Sequence, residues 1–393
     1  MNSTAEWTPH NREVRGHWGL DYTGILVNHG SYSATPLSVL AAQDDWRRRM
    51  EARPTQFMLR TLPQALRDAA NAVGTAVGAR GEDIVLIDNG TAGLNAVLQS
   101  FPLRAGDEIL VTSQTYGALL FATGHAADRA GAELVQAQLP FPEASADAIV
   151  AAIVATLSPR TRLAIIDHIA SPSGFVLPVQ RIAAALHAHG VAILVDGAHA
   201  PGQVPLDIAA LGVDYYVGNG HKWWMAPKGA AFLWVAPHRQ EGLRPANISW
   251  GYGSGFRAEF EHAGTRDWSA ALCLPDAIAF HRQLGGDALM RANAALAHDA
   301  AMRLATRLGT RAVALPDLQA AMTLVELPDV DGIGVDGAVK LRESWLEQGC
   351  DVPVIPLADT LWLRLSAQAY NLAEDYDRLG DLVEASLRRS AAA

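Results

Sequence analysis

The chain has 393 residues, half of them hydrophobic, with 31 Lys and Arg against 41 Asp and Glu and a formal net charge of −10. That apolar content supports packed cores over two or three domains, while the acidic balance disfavours non-specific nucleic-acid binding, which needs a basic face. The two cysteines, Cys273 and Cys350, exclude a disulfide scaffold and a four-thiolate zinc site, and no apolar run approaches the roughly 18 residues of a membrane span.

The amino-terminal MNSTAEWTPHNREVRGHWG carries charge and Trp where a secretory signal would be apolar, so a soluble, cytoplasmic protein is expected. Residues 1–35 read as a polar, turn-rich arm ending in ILVNHGSYSATP. From 36 to 80 the apolar positions take a helical period: Leu37, Leu40 and Ala41, then Leu62, Leu66, Ala69, Val73 and Val77. Short apolar strands then alternate with helices. Strands are predicted at 84–88, 108–112, 133–139, 163–167, 191–196 and 214–219, with helices at 90–101, 116–131 and 181–190. Such a series indicates an α/β fold whose parallel sheet is covered on both faces. After about residue 240 the alternation fades. Residues 251–265 read as a glycine-rich irregular stretch, 269–310 as helix, and the rest as a smaller α+β unit containing MTLVEL and TLWLRLS. The expected division is an arm (1–35), a large α/β domain (36–265), and a linking helix with a small domain (266–393). The closing RRSAAA is expected to fray.

Ligands of open parallel sheets sit at the carboxyl ends of the strands, and four features fall there. Asn89-Gly90-Thr91-Ala92-Gly93 follows a strand and opens a helix. Its small residues, free N–H groups and the Thr91 hydroxyl suit a phosphate, although a plain capped turn needs the same residues. Asp196 ends the apolar VAILVD and is either a helix cap or a carboxylate set to meet a cation. Lys222, between His221 and Trp223-Trp224, is either a partly desolvated nucleophilic amine or an ordinary snorkelling lysine. Arg364, the lone charge in LWLRLS, suits a bidentate grip on a carboxylate or belongs to a surface strand. Taken together, a phosphate cup, an acid for a pyridine nitrogen and a later lysine are what pyridoxal phosphate requires.

The same residues resemble a known family. VNHGSYSATP (27–36), DNGTAGLNAVL (88–98), DHIASPSGFVLPV (167–179), DGAHAPGQVPLDI (196–208), GNGHKWWMAPKGAAFLWV (218–235), FEHAGTRDWSA (260–270) and LRLSAQAYN (363–371) look like the class V, fold-type I pyridoxal-phosphate enzymes, in the isopenicillin N epimerase-like branch. The resemblance implies a large domain with a mostly parallel seven-stranded sheet between helices, a smaller C-terminal α+β domain, and a homodimer with shared active sites. It implies that Lys222 forms the imine with the cofactor and moves the Cα proton, that Asp196 pairs with the pyridine nitrogen, and that His199 lies beneath the ring. Ser171 would donate to the ring phenolate oxygen. Gly90, Thr91, Ala92 and His221 would hold the phosphate, with Thr265 reaching it from the partner subunit. Tyr116 is expected to stack on the ring, with Thr115 the choice if the register slips by one residue. Arg364 would take the substrate carboxylate, Asn28, His29 and Tyr32 would line the entrance, and Arg60 would meet a second acidic group.

Cofactor identity leaves the reaction open. The loop expected at 351–362 holds no thiol, and Cys350 falls at a strand position, so desulfuration is disfavoured. Epimerisation at Cα is the reading that the NHGSY, SPS and SAQAYN segments favour. A carbon–sulfur β-lyase and an aminotransferase remain as alternatives, and a non-catalytic cofactor-binding protein is disfavoured because Lys222 and Arg364 are both present.

Overall fold

The computed structural model describes residues 8–328 and 337–391; the first seven residues of the arm and the last two of RRSAAA lie outside the described residues. A two-residue strand in the arm, β1 (Ile25–Leu26), comes first. Seven strands follow: β2 (Ile84–Ile87), β3 (Glu108–Thr112), β4 (Glu133–Ala137), β5 (Thr161–Asp167), β6 (Ala192–Gly197), β7 (Tyr215–Asn219) and β8 (Ala231–Val235). They form one sheet in the order β2-β8-β7-β6-β5-β3-β4. The run from β7 to β4 is parallel, and β8 pairs antiparallel with both β7 and β2. The mostly parallel seven-stranded sheet is therefore present. Side chains on β2, β3, β6, β7 and β8 are buried along their whole length, as a sheet covered on both faces demands.

The strand of this sheet missing from the sequence reading is β8. It follows β7 through the irregular loop 220–230 instead of a helix, so it falls outside the strand–helix alternation that marked the others. Helix boundaries elsewhere move by a residue or two. The 90–100 helix starts where the Asn89 side chain accepts from Ala92 N at 2.9 Å, and the 117–130 helix ends at Gly131, whose φ of 68° is left-handed.

The small domain contains β9 (Met322–Glu326), β10 (Cys350–Asp351), β11 (Val354–Leu357) and β12 (Thr360–Ser366). The last two and β9 make an antiparallel sheet in the order β11-β12-β9, while β10 pairs parallel with β1 of the arm. The expected loop at 351–362 is thus mostly a β-hairpin. Pro353 and Pro356 masked it, because proline removes ladder donors; β11 tolerates Pro356 as an edge strand. Residues 251–265, expected to be irregular, contain a helix at Phe256–Glu261, whose Phe256 and Phe260 rings pack 5.4 Å apart at i,i+4 spacing. The final helix runs Ala373–Ala391, through much of the end expected to fray, because Leu, Arg and Ala all favour helix.

Candidate active site

The loop after β7 is shaped to deliver one amine to the carboxyl end of the sheet. At Gly220 a Cβ would stand 2.2 Å from a Leu274 methyl, so any larger residue would have to displace that buried side chain. Trp223 and Trp224 are buried and anchor the turn. Between them and the sheet, Lys222 Nζ lies 3.0 Å from His199 Nε2, and Trp223 Nε1 donates to His199 Nδ1 at 3.4 Å. His29 Nε2 reaches the Lys222 carbonyl at 3.1 Å and Tyr370 Oη meets His29 Nδ1 at 2.9 Å, so the lysine backbone is braced from the arm.

Burial lowers the Lys222 pKa to about 8; Asp196 opposes the fall and Arg364 adds to it. Burial, reinforced by Lys222, Arg364 and His29, holds His199 well below the ordinary histidine range, so its ring is neutral. A neutral ring that accepts from Trp223 at Nδ1 carries its proton on Nε2. That proton then points at the lone pair of an uncharged lysine amine, the nucleophilic form.

Lys222 opens onto a cavity of about 200 Å³, which Ser31, Tyr32, Asn89, Gly90, Thr91, Tyr116, Ser171, Asp196, His199, Asn219, His221 and Lys228 also line. Asp196 enters from the end of β6, with one carboxylate oxygen held by Ala198 N–H at 2.9 Å. Tyr116 stands on the cavity wall, whereas Thr115 is buried and its hydroxyl accepts from Thr112 N at 3.0 Å.

The anion end is sparer than a glycine-rich turn suggests. Gly90 N donates to Asn219 Oδ1 at 2.8 Å and Ala92 N to the Asn89 cap, so Thr91 is the member of the trio whose hydroxyl and N–H face the cavity without those commitments. Ala92 lines a different cavity, with Asp88 and Arg266. His221 Nδ1 is engaged by the Ala230 carbonyl at 3.0 Å, and burial followed by Lys222 pushes its pKa down to about 4. It must gain a proton to donate its Nε2 to an anion.

Arg364, on β12, is 4% exposed and has no acidic side chain within 4 Å among the described residues. Nη1 donates to the carbonyl and hydroxyl of Ser171, and Nη2 to Asn28 Oδ1 at 3.3 Å and Ser31 Oγ at 3.0 Å. Its Nε–H is buried without a partner. Burial lowers its pKa to about 10, helped by Arg342. A buried cation with an unspent donor is a receptor for a carboxylate. Ser171 accepts from Arg364, which leaves its own hydroxyl hydrogen to donate.

The remaining expected residues stand apart. Asn28 and His29 are buried behind the cavity, not at its mouth, and hold Arg364 and Lys222 in place. Tyr32 is at the mouth, 72% exposed. Thr265 lines a separate cavity of about 350 Å³ with Leu59, Trp250 and Trp268. Arg60 is exposed in the turn Phe57–Thr61 and lines none of these cavities. Sequence reasoning missed Asn219 and Lys228. The only local signals were an Asn closing a strand and a second Lys six residues after Lys222.

The donor set fits pyridoxal phosphate. It offers an amine near neutrality for an aldehyde, a buried carboxylate for a ring nitrogen, a helix N-terminus with a hydroxyl for phosphate, and an unspent guanidinium donor for a substrate.

A family model described as Aminotransferase class-V matches residues 25–379. The chain is 34% identical to an isopenicillin N epimerase of Streptomyces clavuligerus, over 98% of this chain and 99% of that one. It is likewise 34% identical to a putative L-cysteine desulfhydrase of Oryza sativa subsp. japonica, over 94% of this chain and 85% of the other. A solved cysteine desulfurase of Escherichia coli superposes with a TM-score of 0.79 at 22% identity, covering 99% of each chain.

Proposed function

From the premise that this chain belongs to the class V aminotransferase family, we propose that it inverts configuration at the Cα of an amino acid or amino-acid-containing substrate, as an epimerase or racemase does. It is an enzyme, and pyridoxal phosphate is its cofactor. When bound, the cofactor supplies an aldehyde that condenses with amines and a ring that withdraws electrons from Cα.

In this reading Lys222 holds the cofactor through its amine and then takes the Cα proton, and Tyr116 returns one from the other side. Asp196 keeps a proton on the ring nitrogen. His199 orients the lysine amine. Thr91, at the helix N-terminus, and a His221 protonated by the anion's presence hold the phosphate, with Gly90 shaping the wall beside it, and Ser171 donates to the ring. Arg364 binds the substrate carboxylate while Asn28 and His29 keep the machinery aligned. Tyr32 screens the entrance, and Arg60, exposed and off the cavity wall, is left without a part in it. The observation that carries the reading is that one cavity holds both a lysine amine near neutrality and a tyrosine hydroxyl, two groups able to move a proton at one carbon. Beside them, a buried guanidinium without an acidic partner is bonded to two residues of the same wall.

A carbon–sulfur β-lyase is the second reading, favoured by the 34% identity to the rice protein named as a putative desulfhydrase. Persulfide chemistry is disfavoured: Cys273 and Cys350 are both buried away from the cavity, and burial pushes each thiol up to about 12.

We further propose a homodimer in which a second copy covers Leu59, Ile248, Trp250 and Tyr252 and receives Thr265, and a cytoplasmic location that cell fractionation tests. No helix among the described residues is long and apolar enough to cross a membrane.

Incubation with candidate L-amino acids in deuterated water separates the readings. Entry of deuterium at Cα with loss of optical activity is the expected result. Release of pyruvate and ammonia would transfer the assignment to the lyase.

A further inference from the structure

The parallel register of β5 and β6 places Asp167 directly beside Asp196, at the carboxyl ends of adjacent strands and on the same face of the sheet. Asp167 is 2% exposed and Asp196 5%. The two carboxyl groups differ in their surroundings. Asp196 lines the cavity and has the Ala198 N–H as a donor, whereas Asp167 lies behind it and its Oδ2 is buried with no hydrogen-bond partner among the described residues. An ionised carboxylate in that position would be desolvated, with one oxygen left unpaired.

We infer that Asp167 stands behind Asp196 as a neutral carboxylic acid, so that the pair presents one negative charge to the cofactor ring and Lys222 faces a single carboxylate. Burial drives Asp167 well above the ordinary carboxylate range, and the Asp196 charge adds to this; its own backbone N–H, the Thr115 hydroxyl after β3 and Lys222 after β7 oppose it without reversing it. Asp196, Thr115 and Lys222 are the side chains that bear on Asp167 from the elements packed against it. Like charges on neighbouring carboxyls do not coexist in a dry site, and the proton settles on Asp167, which lies off the cavity with its buried Oδ2 unpartnered.

The consequence falls on Lys222. A second anion there would favour the ammonium form and slow attack on an aldehyde, whereas a neutral Asp167 leaves the amine available. Asp167 is thus a positioning residue: it acts through Asp196 and Lys222. The inference rests on the cofactor and not on which reaction follows, so its failure would leave the epimerase assignment standing.

The test uses the wild-type holoenzyme and Asp167→Asn, the uncharged near-isostere. If Asp167 is already neutral, the pH midpoint of the visible absorption band moves by less than about half a unit, because no charge is lost. A larger fall would show that an anion had been removed and overturns the inference, since an opposite charge at this range is worth about 1–3 units. Should the variant fail to fold, the wild-type holoenzyme itself decides. With its aspartates labelled with ¹³C at the side-chain carboxyl, the infrared spectrum at neutral pH must contain an isotope-shifted carboxylic-acid carbonyl band. Its absence overturns the inference as well.

Discussion

At Lys222, Asp196 and Arg364 alike, burial disfavours the charged form, and a bound group of opposite charge would offset that. Lys222→Ala is expected to abolish turnover and the visible absorption of the holoenzyme together; activity surviving in that variant would refute its role. Because the Lys222 amine titrates at about 8, the rate at which cofactor-free protein takes up pyridoxal phosphate should rise with pH and level off above that value, as the ammonium gives way to the free amine. Stopped-flow absorbance over a pH series measures it, and a flat profile would place the amine elsewhere in pKa. Arg364→Lys keeps the charge but loses the fork to Ser171, Asn28 and Ser31. The expected loss is about 1–3 kcal/mol of substrate binding, seen as a rise in KM of roughly 5–150-fold with kcat changed less. At this scale the motif residues were legible because lysine, aspartate and arginine are anomalous in apolar strands and tight turns. Asn219 was not legible: its partner, Gly90 N, lies 129 residues away in the chain.

Among the elements, strands flanked by helices announced themselves, and those flanked by loops did not. The β11–β12 hairpin turns through Ala358 and Asp359, whose φ values of 50° and 58° are left-handed. Ala358→Gly should therefore stabilise the protein by about 0.5–1 kcal/mol, read as a higher Tm, since glycine meets no steric penalty there. Entry to β7 depends on Asp214, which is 1% exposed and accepts from His187, Arg239, His238 and the Ile193 N–H. Burial raises its pKa, but these donors outweigh burial and the net shift is downward from 3.8. A carboxyl so depressed contributes its stability above pH 3.8 and loses it as the pH falls through the lower folded value. Asp214→Asn should cost about 1–3 kcal/mol at neutral pH, discounted for the half-exposed partners, and flatten the stability curve below pH 4. Urea melts across that range measure both.

For the whole molecule, the exposed Leu59, Ile248, Trp250 and Tyr252 are the large apolar side chains nearest Thr265 in sequence or on its cavity wall, and Trp250 is 95% exposed. Trp250→Asp is expected to shift the sedimentation of the holoenzyme from dimer towards monomer and to weaken cofactor retention with it; an unaltered dimer would refute the proposed interface. The sequence by itself determined the layer architecture and the cofactor, because apolar strands alternating with helices bury both faces as a covered parallel sheet, and because an acid, an amine and a cation each stand out in such strands. Only the tertiary structure decided which donors are already spent. It closed Gly90 and Ala92 with Asn219 and Asn89, set Asn28 and His29 behind the cavity, turned the proline-bearing segment into a hairpin, and brought Asp167 beside Asp196. Strand register and cross-chain hydrogen bonds join residues far apart in the chain, and local periodicity carries no information about such pairings.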